Sequence, residues 1–544
     1  MKRRNFIKLA TTTSAIGLMP FELKAMLKTI DLDIDCGDIS NRKLVLVNLV
    51  GGNDGLNTLI PINVYDTYAN LRPTIRIPNS GTNGFIRLDG SLPDNQQLGL
   101  HPALTGFKSL YDQGELRILQ SVGYPSQNKS HFASKDIYST GNDGNSWNNG
   151  KDSGWIGRFM ENFYPEEVEE AYPLGVQIGN GKTELGFHGA EEHGLSINIT
   201  GQDPAGFFTE ISGLGGQSPT NIPNSHFGEE LKYIIDVNNI SNKYSKSISD
   251  AFNAGNNAVI YEDTNLSNQL KTVARLISGG LPSKVYMVSI GGFDTHDNQI
   301  QESRDVKGKH YELLNEVSSA VETFMKDLNE QSLGEDVVGL TYSEFGRKAK
   351  ENGNLGTDHG EIAPMFIFGK PVLGGVSGTN VDLSEATDDN NYQLKTIQYD
   401  YRQTISTLLQ DFLGASDTII DNTFFNHTTN KSFTGDKIPK IIKSEFSVAK
   451  GCIRDFLEQP GINKRKDWFI YPNPFVDQIS LNALKDRSGL NYKLFTNGGS
   501  LVTQGQKETT NNSAVLDLPR LATGLYFLQV ESAGNTENHK IFKL

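Results

Sequence analysis

Asp294, His296 and Asp297 stand within four residues of one another, in the stretch K-V-Y-M-V-S-I-G-G-F-D-T-H-D-N-Q from Lys284 to Gln299. Two carboxylates and an imidazole so close together can hold a divalent cation, and oxygen with imidazole nitrogen suits zinc, manganese or iron. Elsewhere the chain sets single acidic or histidine side chains in similar surroundings: Asp54 in G-G-N-D-G, Glu344 in S-E-F-G-R, and Asp358 with His359 in G-T-D-H-G. Taken alone, a D-x-H or an Asp beside Gly is a polar turn. Repetition of one construction in one chain points to a shared metal edge.

The elements that must position these groups are short apolar runs. Val285 to Ile290, residues 43–50 (K-L-V-L-V-N-L-V) and Val337 to Tyr342 read as buried strands of a parallel sheet, two of them closed by a glycine pair. Glycines bend the backbone there without a Cβ penalty, so Asp54, Asp294 and Glu344 emerge at the carboxyl ends of strands, the edge where open α/β sheets bind ligands. A further strand is expected at Leu116 to Val122, and a helix near Ser130 in N-K-S-H-F. Ser130 there is a helix N-cap or a hydroxyl whose pKa the helix dipole lowers, and His131 is a ligand, a base or a core histidine. His101-Pro102 opens a helix, Leu266 to Ile277 forms another, and His310 to Leu328 is amphipathic with Leu314, Val317, Val321, Phe324 and Leu328 on one face, leaving His310 solvated. Arg347 holds an anionic group or pairs with a carboxylate. Asp400 and Arg402 make a salt link at the start of the last helix. The Asn-, Ser- and Gly-rich region from about 165 to 270, with His188, His193 and His226 outside any ligand spacing, reads as a cap or insertion.

A chain of 544 residues with 37% hydrophobic and 21% charged residues can bury a large core in two domains. Its net charge of −14 excludes nucleic acid and anionic membrane surfaces as partners. The N-terminus, M-K-R-R-N-F-I-K-L-A, resembles a twin-arginine export signal over residues 1–30, and its apolar stretch is too short to anchor in a bilayer. Cys36 and Cys452 could pair in an exported protein.

The ordered set G-G-N-D-G-L-N-T, N-K-S-H-F, S-G-W-I-G-R, G-G-F-D-T-H, S-E-F-G-R and G-T-D-H-G resembles the exported family known as domain of unknown function 1501, grouped with the alkaline-phosphatase-like superfamily, over residues 40–445. The resemblance implies a three-layer α/β fold with a central, mostly parallel sheet, and hydrolysis of phosphate or sulfate esters of small molecules or surface glycans with one or two divalent metals, zinc or manganese. It further implies one metal on Asp294, His296 and His359, and a second on Asp54, Glu344 and the hydroxyl of Ser130, the nucleophile, with Arg347 assisting. Phe345 stands where the superfamily has a metal-binding histidine; Asp358 or His131 could substitute, and otherwise the second site is weak or absent, the alternative being a non-catalytic secreted or surface binding protein that keeps the fold with a degraded metal site. After a linker at 446–467, residues 468–544 are short alternating runs between Gly and Asn turns, a small β-sandwich. Y-P-N-P-F, G-L-Y-F-L-Q-V and H-K-I-F-K-L resemble the type A sorting domain of the type IX secretion system of Bacteroidetes, which implies secretion or attachment at the outer-membrane surface.

Overall fold

A computed structural model describes residues 39–144, 153–199, 244–424, 437–449 and 468–543, apart from short stretches within them. The twin-arginine segment, Cys36, His193, His226 and most of the 446–467 linker lie outside the described residues. The chain divides into two compact units, residues 1–454 and 455–544.

The first unit is built on a mixed sheet of nine strands. In chain order these are β1 (Lys43–Val50), β2 (Leu116–Gly123), β3 (Gly175–Ile178), β4 (Ser196–Ile199), β5 (Val285–Gly291), β6 (Val337–Tyr342), β7 (Ala363–Phe368), β8 (Gly375–Ser377) and β9 (Tyr399–Asp400). Across the sheet they run β8-β2-β7-β6-β1-β5-β3-β4, with β9 paired to β2. All pairings are parallel except those of β7 with β2 and β6. The runs expected to be strands at 43–50, 116–122, 285–290 and 337–342 are strands. Their uninterrupted apolar sequence has its cause here: β1 is central and its first seven residues are buried, as a strand covered on both faces must be.

Register decides where the chemistry falls. Asn48 lies beside Ser289 and Tyr342, and Val50 beside Gly291, so β1, β5 and β6 end level with one another. The loops carrying Asp54, Asp294 and Glu344 therefore leave the sheet at one edge.

Helices pack on the sheet: α1 (Thr105–Asp112), α2 (His131–Thr140), α3 (Trp155–Phe163), α4 (Asn265–Ser278), α5 (Lys309–Glu330) and α6 (Tyr401–Asp411). On α5, Leu314, Val317, Val321, Phe324 and Leu328 are all buried in the main core. Five such side chains contribute on the order of 10 kcal/mol before conformational entropy is counted. His310 falls on this stripe and is 2% exposed, which corrects the expectation of a solvated histidine. The α1 helix starts at Thr105, after a turn in which the Ala103 N–H donates to His101 Nδ1. Asp400 caps α6 by accepting from the Arg402 N–H, and pairs with that guanidinium at 2.6 Å, as expected of a helix-start link.

The second unit is two antiparallel sheets. One contains β10 (Trp468–Tyr471), β11 (Gln478–Ala483) and β14 (Ser513–Asp517). The other contains β12 (Gly489–Thr496), β13 (Leu501–Glu508), β15 (Gly524–Ser532) and β16 (Asn535–Lys543). Trp468, Ile479, Leu481, Leu494, Leu516, Leu528 and Ile541 fill the core between them, the sandwich read from the alternating runs.

Candidate metal centre

Two glycines bring the loops together. A Cβ at Gly51 (φ +123°) would lie 2.3 Å from the Asp294 backbone nitrogen, and one at Gly52 (φ +86°) would lie 2.4 Å from the Phe345 ring. Only a residue without a side chain lets the end of β1 approach the other two loops so closely.

Arg347, fully buried, ties the same loops from below. Its Nε donates to the Gly52 carbonyl at 2.7 Å and Nη1 to the Thr357 carbonyl at 3.0 Å. Nη2 donates to the carbonyls of Gly51 and Phe293 and, at 2.7 Å, to Asp294 Oδ1. Of the two roles sequence allows it, Arg347 takes the carboxylate. The loop after β6 returns through an antiparallel bridge between Arg347 and His359, which sets His359 over Asp294.

Asp294 is the hub. His296 Nε2 and His359 Nε2 each lie 3.2 Å from its Oδ1, and His131 Nε2 lies 3.3 Å from its Oδ2. The two nitrogens of His296 and His359 are 2.9 Å apart. Each imidazole is held from behind through its other nitrogen. His131 Nδ1 meets Glu344 Oε1 at 3.0 Å, His296 Nδ1 meets Asp358 Oδ1 at 3.4 Å, and His359 Nδ1 meets the Lys129 carbonyl at 2.8 Å. All three partners are acceptors, and a neutral ring that donates to them through Nδ1 leaves its Nε2 lone pair for a metal ion. Three imidazole Nε2 atoms thus lie within 3.3 Å of the Asp294 carboxylate, those of His296 and His359 on one oxygen and that of His131 on the other.

That set fits a divalent cation. Zinc bonded to nitrogen and oxygen at about 2.0–2.1 Å in a tetrahedron has ligand atoms about 3.3 Å apart, close to the separations here. His131, Asp294 and His359 each offer an atom within 4.8 Å of the others. Burial alone would raise the Asp294 pKa, but the Arg347 hydrogen bond and charge, with His359 and His296, hold it below the usual carboxylate value. Burial, with the Arg347 charge, lowers that of His359 and favours its neutral form, the form that binds metal.

Structure sorts the remaining residues singled out in the sequence. Glu344 and Asp358 touch imidazoles rather than converging on the lone pairs. Glu344 also accepts from the Gly51 N–H at 2.8 Å, and Asp358 from Lys348 Nζ at 3.1 Å. Ser130 is exposed at the N-cap of α2 and its hydroxyl makes no capping bond, next to His131. Asp297 is exposed and takes part in none of these contacts. Phe345 is 1% exposed and packs its ring 4.9 Å from His131 and 4.5 Å from His359; it is the floor under two of the imidazoles. Sequence leaves His131 open as a ligand, a base or a core histidine, and no spacing ties it to His296 or His359.

Asp54 goes elsewhere. Its Oδ2 pairs with Arg72 Nη1 at 2.6 Å, both side chains being fully buried, and accepts from Gln299 Nε2 at 2.6 Å. Arg72 spends its other donors on Asn57 and on the carbonyls of Lys348 and Ala349. Burial would raise the Asp54 pKa, but Arg72, His310 and Gln299 leave it lowered. The carboxylate expected to hold a second metal is neutralised by an internal arginine.

Beside this pair His310 Nε2 meets Asn53 Oδ1 at 3.0 Å, and its ring stands 5.6 Å from that of His101. Burial, with Arg72 and Arg347 nearby, pushes the His310 pKa down to about 4 against the opposing pull of Asp54. The unfolded chain protonates this histidine near pH 6.5 and the folded chain does not, so stability is lost as pH falls from about 6.5 to about 4. The loss expected from His310 is about 3 kcal/mol. Urea midpoints measured across that window should fall steeply for the native chain and less steeply for His310→Gln; parallel curves would contradict this.

Fold and site together define a mixed α/β domain with a His/Asp cluster fit for a metal ion, followed by a β-sandwich. Residues 255–411 match the family described as "Protein of unknown function (DUF1501)", and residues 469–543 match the "Secretion system C-terminal sorting domain". The first match takes in Asp294, His296, Glu344 and His359 and leaves out Asp54, Ser130 and His131. With its sorting domain the protein is exported, to be secreted or attached at the outer-membrane surface. Among the described residues no helix is long and apolar enough to cross a membrane. No curated protein matches the chain. Among solved structures, the PsFucS1 sulfatase from Pseudoalteromonas sp. is 11% identical over 91% of this chain and 87% of that one, with a TM-score of 0.33. A protein in the alkaline phosphatase superfamily from Vibrio parahaemolyticus is 8% identical over 87% of this chain and 79% of that one, with a TM-score of 0.29. A DUF3244 family protein with an immunoglobulin-like β-sandwich fold from Bacteroides vulgatus is 10% identical over 14% of this chain and 85% of that one, with a TM-score of 0.13. Likenesses this distant do not bear on function.

Proposed function

We propose that the protein is an exported metal-dependent hydrolase of phosphate or sulfate esters, of alkaline-phosphatase-like architecture. The observation that carries this reading is the convergence of three imidazole Nε2 atoms on Asp294, each ring fixed through Nδ1. His131, Asp294, His296 and His359 would hold one zinc or manganese ion, which when bound supplies a Lewis acid for an ester oxygen. Glu344, Asp358 and the Lys129 carbonyl orient the rings, and Arg347 fixes the carboxylate. Ser130, exposed beside His131, is the nucleophile in this reading, and the first turn of α2 presents backbone N–H groups to an anionic ester. With Asp54 paired to Arg72 and an aromatic ring at position 345, the arrangement favours one ion rather than two.

Those same two features favour the second reading, a secreted binding protein that keeps the fold without turnover. A panel of aryl phosphate, phosphodiester and aryl sulfate substrates, run with zinc and with manganese, separates the two. The hydrolase reading expects turnover of at least one ester class, lowered at least 100-fold in Ser130→Ala with metal content unchanged. No turnover of any ester with the metal bound would favour the binding protein.

A further inference from the structure

In the second unit β12 runs between β13 and β15, and its register sets outward side chains side by side. Leu490, Leu494, Leu528 and Val530 belong to the sandwich core, so by alternation the residues between them point out. Asn491 stands between Gln506 and Glu531 in one row, and Lys493 between Gln504 and Gln529 in the next. These six, with Tyr492 and Gly505 between them, line a recess of about 350 Å³ over the sheet, within the range of ligand sites, about 300–1,000 Å³. A third row continues the face. Phe495 is directly paired with Phe527, both half-buried and neither part of the core. Cβ atoms of residues so paired are about 5 Å apart, so the two rings make one apolar step next to the polar rows.

Lys493 and Glu531 cancel, and the other four polar side chains are amides, so the recess has no net charge with which to hold an ion. The chain's net charge of −14 further opposes an anionic polymer. Each amide offers donors and an acceptor at once, which matches hydroxyl groups, themselves donors and acceptors. An aromatic step beside them matches the flat C–H face of a pyranose ring. An interface for a protein would centre on apolar and aromatic side chains, whereas here amides and one ion of each sign occupy the centre. We infer that the outer face of β13, β12 and β15 is a binding site for a neutral polysaccharide, whose hydroxyls the amides hydrogen-bond and one of whose rings lies on Phe495 and Phe527. The site belongs to the second unit and does not depend on the ester reading.

Native affinity electrophoresis of the full chain through gels containing dextran, mannan, galactan or laminarin tests this, with alginate and lipopolysaccharide as anionic counterparts. Each gel is run with and without EDTA, so that any contribution of the metal centre is seen. At least one neutral polysaccharide is expected to retard the native chain equally in both conditions, and neither anionic polymer to do so. The dissociation constant should rise about 10-fold or more in the double variant Gln504→Ala with Gln506→Ala, which removes two exposed side chains and spares the core. It should rise about 3- to 10-fold in Phe495→Leu, which keeps the bulk and loses the ring. A circular dichroism melt checks that the variants fold. No retardation by any neutral polysaccharide, retardation that EDTA abolishes, equal retardation by an anionic polymer, or unchanged affinity in either folded variant overturns the inference.

Discussion

Asp294→Ala is expected to abolish stoichiometric zinc or manganese binding, with a loss of affinity of at least 100-fold. The size of the effect follows from the geometry. Asp294 supplies the only carboxylate within 3.3 Å of the Nε2 atoms of His131, His296 and His359 among the described residues. Its removal takes away the ligand that every other member faces, and with it the negative charge that offsets the cation. The fold should survive, because Asp294 is 44% exposed and Arg347, its partner beneath, keeps four other acceptors: the carbonyls of Gly51, Gly52, Phe293 and Thr357. Metal content after dialysis, with a circular dichroism melt as the control for folding, checks this. Full metal content in a folded Asp294→Ala protein would move the ion to other residues.

Arg72→Met is expected to be the costliest substitution in stability, by about 3–5 kcal/mol, because it leaves the fully buried Asp54 carboxylate without its paired guanidinium. Coulomb attraction across 2.6 Å with both side chains fully buried is what keeps that carboxylate ionised. Sign and pH window follow from the lowered pKa of Asp54. A folded carboxyl below its unfolded value contributes stability that is present above about pH 4 and is lost as pH falls through the folded pKa. Urea denaturation of the single variant and of Arg72→Met with Asp54→Leu measures the effect. The double variant should recover part of the loss, since removing both charges removes the stranded group. A single-variant cost below about 1 kcal/mol would contradict the assignment of Asp54 to a structural pair.

How much of this was legible in the sequence depends on the length scale of the signal. Strand ends were legible because a short apolar run that stops at glycines or polar residues is a local pattern, and the loops carrying Asp54, Asp294 and Glu344 do leave the sheet at one edge. What each carboxylate faces was not legible. Arg72 lies 18 residues beyond Asp54 and, in sequence, is an arginine at the end of a short helix. Nothing local says that its guanidinium turns inward to claim the carboxylate. Similarly, Glu344 and Asp358 have the right chemistry for ligands, and only the ring orientations show them engaging Nδ1 atoms. His131 sits on a helix remote in sequence from its partners, so its place follows from how α2 meets the loops after β5 and β6. The burial of His310, by contrast, has a local signal. This residue precedes Leu314 by four residues and Val317 by seven, on the apolar stripe itself, and periodicity favoured burial.

The most direct test of the metal centre is X-ray absorption at the zinc edge on purified, zinc-loaded protein. One zinc per chain with three imidazole nitrogens and a carboxylate oxygen at about 2.0–2.1 Å is the expected result, with one imidazole lost from the spectrum of His131→Ala. A zinc surrounded by oxygen alone, or one whose imidazole count does not change in His131→Ala, would contradict it.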